Sequence, residues 1–327
     1  MAGRHRSDEL AKSPFGRGDA LAKSPIGRGD ALAKSPIGRG PEQAAPIERR
    51  RRSPWPSVRT YMGAAIILIW GLAPFYWMVI TAFRDVDHTF DTTPWPTYVT
   101  LDNFRDALAT DKGNDFLGAI VNSLIIGAAT TAVAMMLGIF TAYALARIEF
   151  RGKYVVTGII LAASMFPGVA LVTPLFQLFG DIGWIGHYQA LIVPNISFVL
   201  PLTIYTLTSF LGDLPWELEE AARVDGASRG QAFRKVILPL AAPALFTTAI
   251  LAFIATWNEY MLANMLSTRA TEPVTVAIAR FEGPDSFSQP YTAVMAAGTL
   301  VTVPLVIMVL IFQRRIVSGL TAGGVKS

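Results

Sequence analysis

The chain has 327 residues, of which 52% are hydrophobic and 16% charged, whereas a soluble domain carries about 25% charge. This composition argues against an ordinary soluble enzyme. With no cysteine and three histidines far apart, His5, His88 and His187, it leaves no disulfide framework, thiolate nucleophile or Cys-ligated metal centre, and no histidine cluster for a metal.

The net charge of +4 is unevenly spread: residues 1–60 hold 13 Lys/Arg against 6 Asp/Glu, and residues 61–327 hold 15 against 18. The basic character therefore belongs to an amino-terminal tail. Within it an 11-residue unit occurs three times, starting at Leu10, Leu21 and Leu32 and built around Ala-Lys-Ser-Pro. The unit is rich in Gly, Pro, Ser and charge and has too little apolar surface to stack as a solenoid, so residues 1–60 are predicted to be a disordered tail. The glycines ahead of Lys23-Ser24 do not form a phosphate-binding loop, because Ala22 and Arg17 stand where glycines are needed. The four arginines at 49–52 suit anionic lipid headgroups better than nucleic acid.

The body of the chain, residues 61–327, is predicted to be an all-α membrane protein. A helical span takes about 20 apolar residues, and six stretches qualify, at 62–83, 119–146, 154–179, 190–211, 240–266 and 292–312. The first begins too far into the chain, and lacks the cleavage site, to be a signal peptide. Pro167, Pro174, Pro194 and Pro201 interrupt the third and fourth, which are predicted to be kinked spans whose freed carbonyls are satisfied by neighbouring helices.

Positive charge orients the bundle, because loops rich in Lys and Arg stay in the cytoplasm. The block at 49–52, then Arg147, Arg151 and Lys153, then Arg223, Arg229, Arg234 and Lys235, and finally Arg314, Arg315 and Lys326 all fall on one side. The opposite loops, 84–118, 180–189 and 267–291, are acidic or poor in basic residues, so both termini are expected in the cytoplasm of a prokaryotic cell.

Small residues recur every fourth position in the second span, at Ala134, Gly138, Ala142 and Ala146. Such a ladder lets another helix approach closely, and helix packing is its preferred reading. Polar residues within spans are costly in lipid and mark candidate pathway positions: Asn122 beside Ser123, Gln177, Asn195, and the run Trp257-Asn258-Glu259-Tyr260. Glu259 needs a partner, water or a proton. It is either part of a proton relay, for which it lacks a second titratable group in the neighbouring spans, or a structural hydrogen-bonding group. The Trp/Asn pair has the right surfaces for a sugar's C–H faces and hydroxyls.

The longest cytoplasmic loop, 212–239, is predicted to be folded. Asp213 can cap a helix over 214–225 with Pro215 in its first turn, Glu217, Glu219 and Glu220 near its positive end, and Gly226 just past its carboxyl end. Ser228 and Gln231 have capping-box spacing for a second helix running to Val236, before Pro239 turns the chain into the fifth span.

The run Glu220-Ala221-Ala222-Arg223-Val224-Asp225-Gly226, followed by Leu238-Pro239 after a further eleven residues, resembles the EAA loop of binding-protein-dependent ABC importer permeases. Gly319, Leu320, Gly323 and Gly324 in the carboxyl-terminal tail, 313–327, resemble the ending of the maltose-type carbohydrate subfamily. Asn122-Ser-Leu, Met165-Phe-Pro and Trp257-Asn-Glu add to the likeness, which covers roughly residues 60–327 and is narrowest toward the permeases of actinobacterial trehalose importers.

The resemblance implies a six-span, non-catalytic permease that pairs with a second homologous permease, two ATPase subunits below and a solute-binding protein outside. It implies that ATP and Mg are bound by the partner ATPase, with no cofactor in this chain. Glu220, Ala221, Ala222, Asp225, Gly226, Leu238 and Pro239 would couple to that ATPase, and the Gly319 to Gly324 segment would touch it. The external segment 280–291, with Arg280, Glu282, Gly283, Pro284, Asp285 and Tyr291, would meet the binding protein. The expected cargo is a disaccharide or small oligosaccharide, trehalose-like. The alternatives are a non-sugar solute such as a glycerophosphodiester, or an ion-coupled secondary transporter, which would need an ion site near the midplane. A membrane-embedded enzyme would need converging catalytic groups that the sequence does not present.

Overall fold

Four of the six apolar stretches are continuous helices in the computed structural model, which describes residues 58–109, 115–281 and 291–324, with side chains to residue 313. The tail repeats and the basic block at 49–52 lie outside the described residues. The four helices are α1 (Val58–Ala82), α3 (Phe116–Arg147), α6 (Tyr188–Asp213) and α13 (Tyr291–Gly324), the last running on past the sixth span without a break. A short α2 (Asp102–Leu108) lies between the first two.

The third stretch is broken rather than kinked. Helix α4 (Lys153–Ser164) stops before Pro167, a 3-10 turn covers Gly168–Leu171, and α5 (Val172–Asp181) leaves at an 84° bend. Pro167 has no N–H to continue the α4 ladder, and here no continuous hydrogen-bonded turn bridges it. In α6, by contrast, the helix runs straight through Pro194 and Pro201. Within the same helix Asn195 donates to Leu191 O at 2.9 Å and Thr203 to Val199 O at 2.8 Å, while the carbonyls that the two prolines leave without their usual donor are those of Ala190 and Ser197.

The fifth stretch, predicted as one span over 240–266, is two helices. After the loop helices α7 (Glu217–Val224) and α8 (Arg229–Ala232), a π-turn (Phe233–Ile237) and the single turn α9 (Leu238–Leu240), the chain bends by 71° into α10 (Ala242–Trp257). Asn258 caps the end of α10, and α11 (Met261–Leu266) starts after a three-residue break, 258–260. Helix α12 (Val274–Ala279) follows in the segment between α11 and α13.

The core is the seam between α3 and α6, with α10 laid across both. The small-residue ladder serves packing as expected: Ala134 and Ala142 are fully buried, and a Cβ at Gly138 would come within 2.6 Å of Thr203 Cγ2 on α6. Gly127 likewise gives room to Phe253 of α10. Helix α1 packs along α13, Gly298 facing Met78, while Ile66, Ile67, Ile69 and Trp70 remain exposed. Exposed residues of this kind suit contact with lipid or with another membrane chain.

Candidate functional site

Three features draw attention: a folded loop at one end of the bundle, an open groove in its wall, and an ordered cap at the other end. The loop carries the EAA-like run. Helix α7 ends in a complete Schellman arrangement, in which Gly226 at φ +89° donates to Arg223 O and Ala227 to Ala222 O, both at 3.0 Å. The capping box is also present: Ser228 N donates to Gln231 Oε1 at 2.8 Å and Gln231 N to Ser228 Oγ at 3.3 Å. One local expectation is corrected. Asp213 is the last residue of α6 and does not cap α7, which begins at Glu217 after an uncapped Trp216.

Glu220, Ala221, Asp225 and Gly226 are exposed along α7 and its cap, Ala222 is half-buried, and Val224 is 87% exposed. Leu238 packs into the core below the loop, and Pro239 is exposed. Against α3 the loop is pinned by contacts that the sequence did not foretell, made by Tyr143, Arg147 and Glu219. Tyr143 Oη donates to the buried Glu219 Oε1 at 2.7 Å, and Arg147 Nη2 donates to Leu214 O at 2.9 Å. The Arg147 guanidinium lies 4.8 Å from the centre of the Trp216 ring. The signal was available: adjacent glutamates on a helix point about 100° apart, so one of Glu219 and Glu220 faces inward when the other faces out.

The groove lies between the 3-10 turn after Pro167, α6, α10 and α11, and encloses about 380 Å³. Its wall is mainly apolar, with Val169, Phe198, Leu202 and Leu251, and its polar groups are Asn195, Thr203, Thr206, Thr248 and Glu259. Two of the sequence-predicted pathway residues, Asn195 and Glu259, therefore meet here. Glu259 sits in the break between α10 and α11, where its carboxylate accepts from Leu262 N at 2.7 Å and Ala263 N at 3.0 Å. Its partners are thus the first turn of α11, and no second titratable side chain among the described residues lines the groove.

Ser123 lines a small adjoining cavity with Asn195 and Glu259, and the remaining candidates stand apart from the groove. Trp257 is 2% exposed, in a core cluster with Phe116, Val274 and Phe281, so its indole offers no face to a solute there. Asn258 donates to Ile254 O at 2.8 Å, and Tyr260 and Gln177 are exposed elsewhere. Asn122 and Ser123 tie the start of α3 to the segment between α11 and α12. Asn122 Nδ2 donates to Glu272 O at 3.0 Å, its Oδ1 accepts from Tyr188 Oη at 2.6 Å, and Ser123 Oγ accepts from Val274 N at 2.8 Å.

Of the residues expected to meet a binding protein, Arg280 and Tyr291 are described, while Glu282, Gly283, Pro284 and Asp285 lie outside the described residues. Arg280 pairs with Glu272 at 2.8 Å and donates to Asn264 O at 2.8 Å; Tyr291 is exposed and sits against Phe90 at 5.6 Å between ring centres. Residues 84–103 are also tied to the bundle. Arg84, 1% exposed, donates to Asp91 O and Thr93 O and lies 4.9 Å from the Trp77 ring, and Asn103 Nδ2 donates to Ala82 O at 2.9 Å.

Apolar spans with a rigid, capped helical loop exposed at one end define a transmembrane transport subunit. The chain belongs to the family of binding-protein-dependent transport system inner membrane components, whose model matches residues 134–321. It is similar to the trehalose transport system permease protein SugB of Mycobacterium tuberculosis, at 44% identity over 85% of this chain and 98% of that protein. It is also similar to the trehalose/maltose transport system permease protein MalG of Thermococcus litoralis, at 43% identity over 81% of this chain and 95% of that one. The fold matches a chain of a bacterial ABC transporter involved in the import of the acidic polysaccharide alginate. That match has a TM-score of 0.66 and 22% identity, covering 80% of this chain and 99% of the other.

Proposed function

We propose that this permease forms half of the translocation pathway of an ATP-driven importer for a disaccharide-sized carbohydrate, with trehalose the favoured cargo. The observation that carries the reading is identity of 43–44% along nearly the full length of two permeases named for trehalose. The groove is compatible with it: the polar groups of Asn195, Thr206 and Glu259 set in an apolar wall suit a passing hydroxyl-rich solute held weakly.

In this reading a second, homologous permease completes the pathway, two ATPase subunits bind below and hold ATP and Mg, and a solute-binding protein delivers the sugar from outside. Both termini lie in the cytoplasm, on the side rich in Lys and Arg. The exposed Glu220, Ala221, Asp225 and Gly226 of the α7 region dock in the ATPase, with Ala222, Leu238 and Pro239 shaping the support beneath. Gly319, Leu320, Gly323 and Gly324, on the extension of α13, make a further ATPase contact. The segment from Arg280 to Tyr291 meets the binding protein. ATPase closure would then turn the spans through a rigid element.

The test is uptake of labelled trehalose in cells lacking only this chain and in cells carrying it with Glu220→Lys. Both are expected to lose uptake, the substituted chain remaining in the membrane at normal amount. Unchanged trehalose uptake in the deletion overturns the cargo, and wild-type uptake with Glu220→Lys overturns the docking role.

A further inference from the structure

We propose that Glu219 is a positioning residue for energy coupling, and that its hydrogen bond to Tyr143 makes the docking helix α7 and the end of span α3 one rigid piece. This rests on the docking role just assigned to α7 and adds the part that carries motion from it into the bundle.

Glu219 and Glu220 are neighbours with opposite fates. Glu220 is exposed, whereas Glu219 is 7% exposed and turned toward α3. Its Oε1 accepts the Tyr143 hydroxyl at 2.7 Å, and its Oε2 has no partner among the described residues. One turn further along α3, Arg147 is also buried, and it fixes the corner between α6 and α7 by donating to Leu214 O at 2.9 Å. The Phe233 ring, from the π-turn that leads back into the bundle, packs at 4.8 Å on Tyr143. Span α3, the docking helix and the return segment therefore converge on one phenol.

A buried acid and a buried guanidinium are costly, and apolar residues of similar size hold helices together at least as well. What apolar packing does not supply is direction. Two hydrogen bonds at separate points, one to α7 itself and one to the corner before it, prevent the helix from sliding or rotating on α3. A displacement applied at the exposed face of α7 then reaches α3 undiminished, and from there the α3–α6 seam. Without these bonds α7 can still fold, since its Schellman end and the capping box after it are independent of Tyr143, and it can still occupy the ATPase.

The experiment uses the full complex, purified with its ATPases and assayed in liposomes with its binding protein, and reads ATP hydrolysed per sugar imported. Tyr143→Phe and Glu219→Ala are expected to raise that ratio at least fivefold while the ATPase co-purifies in normal amount. Glu219→Gln, whose amide oxygen accepts the same bond, is expected to stay within twofold of wild type. A normal ratio in both Tyr143→Phe and Glu219→Ala overturns the proposal. So does Glu219→Gln as uncoupled as Glu219→Ala, or a loss of uptake fully explained by less assembled complex. Failure of the docking role is seen separately, as full uptake with Glu220→Lys.

Discussion

Placing a methyl at Gly138 probes the seam on which the bundle is built. The new Cβ would stand 2.6 Å from Thr203 Cγ2, roughly 1 Å inside ordinary carbon contact. Both helices also pack against α10, and α6 against α4 as well, which limits how far either can shift. Overpacking at such a site costs about 1–3 kcal/mol. Thr203→Ser removes the offending methyl and keeps the hydroxyl that donates to Val199 O at 2.8 Å. Thermal denaturation of the detergent-solubilised complex is therefore expected to show Gly138→Ala destabilised, Thr203→Ser nearly neutral, and the double variant restored. The coupling in that cycle should be about 1 kcal/mol or more, as for side chains in contact. Additive effects would refute the claim that these two residues set the α3–α6 spacing.

Arg84→Met deprives the carbonyls of Asp91 and Thr93 of a buried charged donor, and with each such bond worth about 1.5–3 kcal/mol, protease cleavage within 85–100 is expected to accelerate without loss of membrane insertion. At Gly226, φ is +89° and a Cβ would meet nothing within 4 Å, so the cost of substitution is conformational, about 1–2 kcal/mol. Uptake is expected to fall in the order Gly, Asn, Ala, Val, because Asn adopts the left-handed region more readily than Ala and β-branched Val least of all. Ser228→Ala removes one bond of the capping box, about 1 kcal/mol, and is expected to speed amide exchange in residues 229–232 while leaving α7 protected.

Much of this architecture was legible because bilayers impose simple rules: apolar length finds spans and small-residue spacing finds the seam. The capped loop was legible for a different reason, since Gly226, Ser228 and Gln231 act on their own neighbours and need no tertiary context. The breaks were not. Hydropathy summed over 240–266 cannot register that Asn258 ends one helix and that Met261 starts another, and Asn258, a candidate pathway position in sequence, sits at that interruption and bonds back to Ile254 O. Asn122 shows the same difficulty, because a polar side chain that reaches a loop 150 residues later, as Asn122 does to Glu272, looks in sequence like one that faces a solute. Trp257 reads as a sugar platform until its burial among Phe116, Val274 and Phe281 is seen.

Glu259 gathers these threads, since a carboxylate in an apolar groove invites a proton-coupled mechanism. Its surroundings favour a different role. Both oxygens are occupied by backbone N–H groups of α11, and the Glu259 carbonyl accepts from Thr275 Oγ1 at 2.8 Å, so the residue joins α10, α11 and α12 at the point where the span is interrupted. A relay needs a second group to receive the proton, and among the described residues the groove wall contains no other titratable side chain. Replacement by Gln keeps one acceptor oxygen and removes the charge; replacement by Ala removes both acceptors, a loss of about 0.5–2 kcal/mol by comparison with helix caps. Uptake by Glu259→Gln is accordingly expected to stay within a few-fold of wild type, with an unchanged pH profile from pH 6 to 8, while Glu259→Ala is impaired and less heat-stable. A Glu259→Gln complex that assembles normally and yet imports nothing would give the carboxylate a chemical task in the transport cycle.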